Sequence, residues 1–177
     1  TNLDILNKIY NVIGFFNQPP RPSGRGMKEI KSSIQQYSEK NKLNFYTPNN
    51  LKKDETLKLL VSLNPDLIVV VAYGLLIPEV ILKIPSYGCI NGHASLLPKW
   101  RGAAPIQRAI EAGDTKTGCT SMLMEKGLDT GPMIHKKEIL IKMENDVIDL
   151  FKSLSLLTAE CIHETIQKLI SGDSKQT

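Results

Sequence analysis

Leu67-Ile68-Val69-Val70-Val71-Ala72-Tyr73-Gly74 decides the fold. An unbroken apolar run rich in β-branched residues reads as a central parallel strand buried on both faces, because a strand covered on both sides has no solvent face with which to alternate. Tyr73-Gly74 ends that strand at the edge where α/β sheets take their ligands. On the N-terminal side, Lys53 to Asn64 is a helical stretch with Leu57, Leu60, Val61 and Leu63 on its inner side, stopped by Pro65. On the C-terminal side, Pro78 fits the first turn of a helix through Leu82 or Lys83. Pro85 to Gly88 then returns the chain to a second short buried strand. Strands alternating with helices imply an α/β, doubly wound, Rossmann-like and mostly parallel sheet with helices on both faces.

The flanking sequence extends this pattern. Leu3 to Ile9 has helical spacing, Asn11 to Phe16 reads as a buried strand, and Leu43 to Tyr46 as a short one ended by Pro48. Between them, Glu29 to Lys42 predicts a helix, with Ile30, Ile34 and Tyr37 on one side. The loop from Asn17 to Lys28 carries Pro19, Pro20, Pro22, Gly24 and Gly26, so no regular structure is expected there. It is basic through Arg21, Arg25 and Lys28, and it is not a P-loop, since no Gly-Lys-Ser/Thr closes it. Pro105 starts a helix from Ile106 to Ala112 that Gly113 caps. Thr117 to Glu125 and Ile134 to Ile141 are extended segments that could add antiparallel or mixed strands to the sheet. From Asp146 to Ile170, Val147, Leu150, Phe151, Leu154, Leu157, Cys161, Ile162, Ile166, Leu169 and Ile170 follow one broad helical face. Asn145 or Asp146 caps its start and Gly172 ends it. Because a doubly wound domain normally begins with a strand, a chain opening in a helix looks cut at its front.

Composition narrows the classes. At 177 residues with 41% hydrophobic and 23% charged residues, the chain is one ordinary globular domain. No apolar run reaches membrane-spanning length, and the N-terminus does not read as a signal peptide. Cys89, Cys119 and Cys161 are far apart and odd in number, which suits reduced thiols in a cytoplasmic protein. His93, His135 and His163 show no metal-ligand spacing, so no metal is expected. A net charge of +4 permits a nucleic-acid or phosphate partner without requiring one.

Beyond Gly88 the chain reads Cys89-Ile90-Asn91-Gly92-His93-Ala94-Ser95-Leu96-Leu97-Pro98-Lys99-Trp100-Arg101-Gly102. Strand side chains alternate, so Asn91 and His93 share a face. An imidazole donates or accepts a proton near neutral pH, and an amide NH2 donates to a developing oxyanion, a combination suited to acyl transfer. Taken alone, Asn-x-His is more often a turn asparagine beside a packed histidine. Asp129, in the turn-rich Gly127 to Pro132, is by default a turn-former bonded to its own backbone. Trp100 is best read as pinning its loop to the core.

Four motifs coincide: Asn91-x-His93, Ser95-Leu96-Leu97-Pro98, Trp100 to Gln107 (Trp-Arg-Gly-Ala-Ala-Pro-Ile-Gln), and Gly127-Leu128-Asp129-Thr130-Gly131. Together they resemble the formyltransferase superfamily that uses 10-formyltetrahydrofolate. The Trp100 to Gln107 run and the basic early loop resemble its tRNA-acting branch, and the likeness covers almost the whole chain. The resemblance implies transfer of a formyl group from 10-formyltetrahydrofolate to the α-amino group of methionine on charged initiator tRNA, in translation initiation, by a monomer that binds folate and no membrane. It implies Asn91, His93 and Asp129 as the catalytic trio. Ser95, Leu96, Leu97 and Pro98 match a folate-contacting segment, and Leu75, Leu76 and Ile77 fall where the family lines its pterin pocket. Arg21, Arg25 and Lys28 lie in the segment that meets the tRNA acceptor end, with Arg25 at its key basic position. Residues 1–177 would be the catalytic domain, lacking the family's first strand and its C-terminal β-barrel. Gly92 stands where relatives usually carry an aliphatic residue, so a packing contact is expected to be lost and the strand to be less stable by about 0.5–1 kcal/mol than with alanine. Two alternatives keep the same trio or abandon catalysis: transfer to a small acceptor such as glycinamide ribonucleotide or an amino sugar nucleotide, and an inactive folate- or tRNA-binding module.

Overall fold

The computed structural model describes residues 2–20, 22–23, 28–29 and 31–173. The chain opens with α1 (Asn2–Ile9), β1 (Phe15–Phe16), β2 (Pro22–Ser23), β3 (Lys28–Glu29), α2 (Ser33–Lys40), β4 (Phe45–Tyr46) and α3 (Asp54–Leu63). It continues through β5 (Ile68–Val70), α4 (Glu79–Leu82), β6 (Cys89–His93), α5 (Pro105–Glu111), β7 (Lys116–Leu123), β8 (Met133–Leu140) and α6 (Val147–Ser171). The fold is α/β. Local chemistry sets several of its boundaries. Ser32 accepts the Gln35 amide through Oγ at 3.1 Å, so α2 begins after it. Asn64 ends α3 in the left-handed region at φ 46°, just ahead of Pro65. Asp146 and Asp149 cap α6 reciprocally, and Gly172 closes it at φ 75°.

Two early expectations are corrected. The basic loop contains a two-residue antiparallel ladder, with Pro22 opposite Glu29 and Ser23 opposite Lys28. Proline is tolerated there because it opens its strand and need only accept. Glu29 consequently belongs to β3, and α2 starts later than its periodicity suggests.

The main sheet runs in the order β5-β6-β7-β8. β5 and β6 are parallel, with Val70 beside Asn91, whereas β6–β7 and β7–β8 are antiparallel. A separate parallel pair joins β1 to β4. The late extended segments thus form a hairpin that continues the sheet. Ile68 packs into a cluster with Leu51, Leu60 and Ile81, on the side of α3 and α4. Its neighbour Val69 packs with Leu6, Ile90, Ile162 and Ile166, on the side of α1 and α6. Helices therefore cover both faces, as in a doubly wound fold.

Burial is distributed differently from the expectation, however. All three residues of β5 are only half-buried, and Val71 is exposed. Among the described residues β5 pairs only with β6, so it ends the ladder instead of lying at its centre. The continuously buried strand is β7, from Thr117 to Met122. Val61 points outward from α3, and Phe151 and Ile170 are exposed on α6. The buried stripe of that 25-residue helix runs through Leu150, Leu154, Thr158, Cys161, Ile162, Thr165 and Ile166, and Phe151 lies beside it.

The expected loss of packing at Gly92 does not occur. A Cβ there would lie 2.8 Å from Thr158 Cγ2 and 3.0 Å from Ile162 Cδ1, so α6 already fills the space. Gly92→Val should therefore lower stability by about 1–3 kcal/mol, because overpacking outweighs the gain from removing a strand glycine. Urea denaturation will show a lower midpoint. Adding Thr158→Ser, which removes the clashing methyl, should recover part of it. A Gly92→Val protein as stable as wild type would refute the close approach.

Candidate active site

β6 carries Asn91 and His93 on the face away from α6, because the intervening Gly92 meets Thr158 and Ile162. His93 lies opposite Thr120 at the end of β6, where Ser95 N donates to His93 O at 2.9 Å and turns the chain. The imidazole is 9% exposed. Its Nε2 is 2.9 Å from Trp100 O. A carbonyl only accepts, so Nε2 carries a hydrogen. Nδ1 stands 3.7 Å from Asp129 Oδ2, ion-pair distance when the ring is protonated.

Asp129 is not the self-bonded turn residue its surroundings suggest. Asn91 Nδ2 donates to its Oδ1 at 3.2 Å, and Gly102 N donates to its Oδ2 at 2.8 Å. Both oxygens are engaged by groups remote in sequence. Asp129 itself is in the left-handed region at φ 54°. Its side chain is only 8% exposed, and donors on both oxygens are what a buried carboxylate requires. Asn91 gives Asp129 one amide hydrogen and keeps a second for another acceptor. Cys89, on the same face of β6, is not a nucleophile at neutral pH, since burial pushes its thiol up to about 12.

The loop after β6 is held by side chains from β7 and β8. Thr120 Oγ1 donates to Ser95 O at 2.7 Å and accepts from Leu97 N at 2.9 Å. Ser95 Oγ donates to Lys99 O at 2.6 Å, and Lys136 Nζ donates to Leu97 O at 2.7 Å. Ser95 and Leu97 are consequently buried, Leu96 is half-buried and Pro98 is exposed. Leu75 and Leu76 are 50% and 75% exposed, while Ile77 packs against the cluster of Leu51, Leu60 and Ile81. Since Val70 registers with Asn91, the segment after β5 leaves the sheet at the same edge as His93.

The structure thus brings Asn91, His93 and Asp129 together. It turns Ser95, Leu97 and Ile77 inward and leaves Leu75, Leu76 and Pro98 at the surface. Arg21 and Arg25 lie outside the described residues, as does the side chain of Lys28. Sequence reading missed the Gly102 amide, the Trp100 carbonyl, Thr120 and Lys136. Backbone groups carry no residue signature, and the two side chains act across strands. Among the described residues no group of three or more His, Cys, Asp or Glu could hold a metal ion, and no helix is long and apolar enough to cross a membrane.

Residues 5–166 match the family model described as formyl transferase. Methionyl-tRNA formyltransferases of Marinobacter nauticus and Idiomarina loihiensis are each 44% identical to the chain, covering 96% and 93% of it and 54% and 52% of themselves. The chain spans about half the length of these curated relatives. Crystal structures of phosphoribosylglycinamide formyltransferases from Bacillus halodurans and Streptococcus pneumoniae share the fold. Each has a TM-score of 0.79, at 21% and 17% identity, covering 96% of this chain and 90% and 93% of theirs.

Proposed function

The chain belongs to the formyl transferase family, and from that premise we propose that it moves a formyl group from 10-formyltetrahydrofolate to the α-amino group of methionine on charged initiator tRNA, in the cytoplasm. The choice of acceptor is supported by the relatives at 44% identity. The reading of the chemistry is carried by one observation, the convergence of Asn91 and His93 on the Asp129 carboxylate.

The substrate amine is the nucleophile, so no side chain need be one. Its nitrogen bonds to the formyl carbon, the bond from that carbon to the donor nitrogen breaks, and the proton leaving the amine passes to the departing nitrogen. The free amide hydrogen of Asn91 donates to the formyl oxygen as it becomes negative, an interaction worth about 3–4 kcal/mol in comparable oxyanion holes. His93 stabilises the same charge when protonated. Asp129 keeps the imidazole and the amide in place and relays the proton, directly or through water. The donor's flat ring system needs apolar cover. Leu75, Leu76, Leu96 and Pro98 offer it at the sheet edge where Asn91 and His93 emerge, and the inward Ser95, Leu97 and Ile77 hold that surface from behind. This surface keeps water from the donor.

The acceptor is tested by single-turnover transfer from labelled donor to charged initiator tRNA, glycinamide ribonucleotide and an amino sugar nucleotide in turn; label on the tRNA alone is expected. Arg21, Arg25 and Lys28 supply charge for the acceptor end, where a guanidinium stacks on bases and bonds phosphates. Arg25→Ala should therefore slow formylation of tRNA and flatten the salt dependence of tRNA binding by up to about one ionic contact, with donor affinity unchanged. Identical tRNA affinity and salt slope in both proteins would overturn the tRNA reading of this loop.

A further inference from the structure

We propose that Asp114 is a positioning residue for this reaction, setting the orientation of His93 through the indole of Trp100. The inference rests on the formyl-transfer reading above.

Asp114 follows α5, and its backbone is held by the end of that helix. Gly113 N donates to Ile110 O at 2.9 Å and Asp114 N to Ala109 O at 2.9 Å, with Ala109 fully buried. Its carboxylate takes two donors from the loop after β6. Trp100 Nε1 donates to Oδ2 at 2.8 Å and Lys99 Nζ to Oδ1 at 2.5 Å. The Lys99 ammonium, then the indole N–H, holds the carboxyl below its ordinary range, so the acceptor stays ionised at neutral pH.

Packing alone does not fix the Trp100 ring. The ring is half-buried and borders a cavity of about 290 Å³ with Leu96, Asp114, Thr115, Lys116 and Thr117. Trp100 also adopts φ 60°, a left-handed conformation that a non-glycine residue keeps only when its surroundings impose it. The bond from its indole to a helix-anchored carboxylate is such a constraint. The same residue's carbonyl engages His93 Nε2. Two residues on, Gly102 N engages Asp129 Oδ2. One short loop segment thus touches both His93 and the carboxylate facing it. Releasing Trp100 would free Nε2 and allow the ring's hydrogen to move to Nδ1, toward Asp129.

The test uses Asp114→Ala, Trp100→Phe, their double variant and Asp114→Asn in the intact protein. Ring ¹⁵N NMR of His93 should report hydrogen on Nε2 in the wild type and a shift toward Nδ1 in Asp114→Ala and Trp100→Phe. Each of these should lower kcat on the order of tenfold to a hundredfold with donor KM unchanged, the scale of a displaced reacting group. The double variant should be no worse than either single one, since both break one contact. Asp114→Asn keeps an oxygen for the indole and should retain most of the activity. If Asp114→Ala fails to fold, Trp100→Phe reports the same contact. Unchanged ring signals, pH profile and kcat would overturn the proposal, even if stability falls. A wild type that transfers formyl to no acceptor would defeat the reading of the reaction, while the ring signal would still decide whether Asp114 orients His93.

Discussion

Alanine in place of His93 should lower the rate of the proposed formyl transfer at least about a hundredfold, the scale on which acid–base and oxyanion groups act. The imidazole is buried between Trp100 O and Asp129 Oδ2. Removing it takes away the ring that faces Asp129 and leaves that carboxylate facing a void. The apolar surface of Leu75, Leu76 and Pro98 is untouched, so donor affinity should hold while kcat falls. Rates are measured by single turnover on protein whose folded fraction is known from circular dichroism. Near-normal turnover in a folded His93→Ala protein would remove the trio from the mechanism.

Asp129→Asn should be of comparable size, about a hundredfold to ten-thousandfold in kcat. The carboxylate accepts on both oxygens, from Asn91 Nδ2 and from Gly102 N. An amide has one oxygen and one NH2, so either Asn91 or the Gly102 amide would then face another donor. The charge opposite His93 Nδ1 disappears in the same change. The pH–rate profile should therefore move together with kcat. A slower enzyme with an unchanged profile would show that Asp129 only shapes the loop, and unchanged kcat would exclude it from the reaction.

Some of the structure was written locally. Pro65 after Asn64, Asp146 with Asp149, and Gly172 end or begin helices through the backbone bonds of the same few residues. The shared face of Asn91 and His93 follows from strand alternation alone. These features require no knowledge of what lies elsewhere in the chain; of the two caps the sequence offered for α6, Asn145 and Asp146, it is Asp146 that caps, with Asp149. The candidate trio was recognisable too, but as a resemblance among separated motifs; no single spacing announced it.

Burial and partnership arise from the assembled fold. Leu67 to Ala72 is the most apolar run, yet β5 is half-buried at the end of its ladder, whereas β7 is buried with threonine, serine and cysteine in it. Composition measures the tendency to leave water; the elements that happen to pack on a strand decide whether it does. Gly92 looked like a missing contact until Thr158 and Ile162 of α6 were seen against it. The surroundings of Asp129 alone read as a self-bonded turn, and only the fold puts Asn91 and Gly102, remote in sequence, on its oxygens. Contacts of that kind depend on the path of the whole chain, so no window of sequence contains them. The local code determined which groups stand at the sheet edge, and long-range packing determined which of them meet.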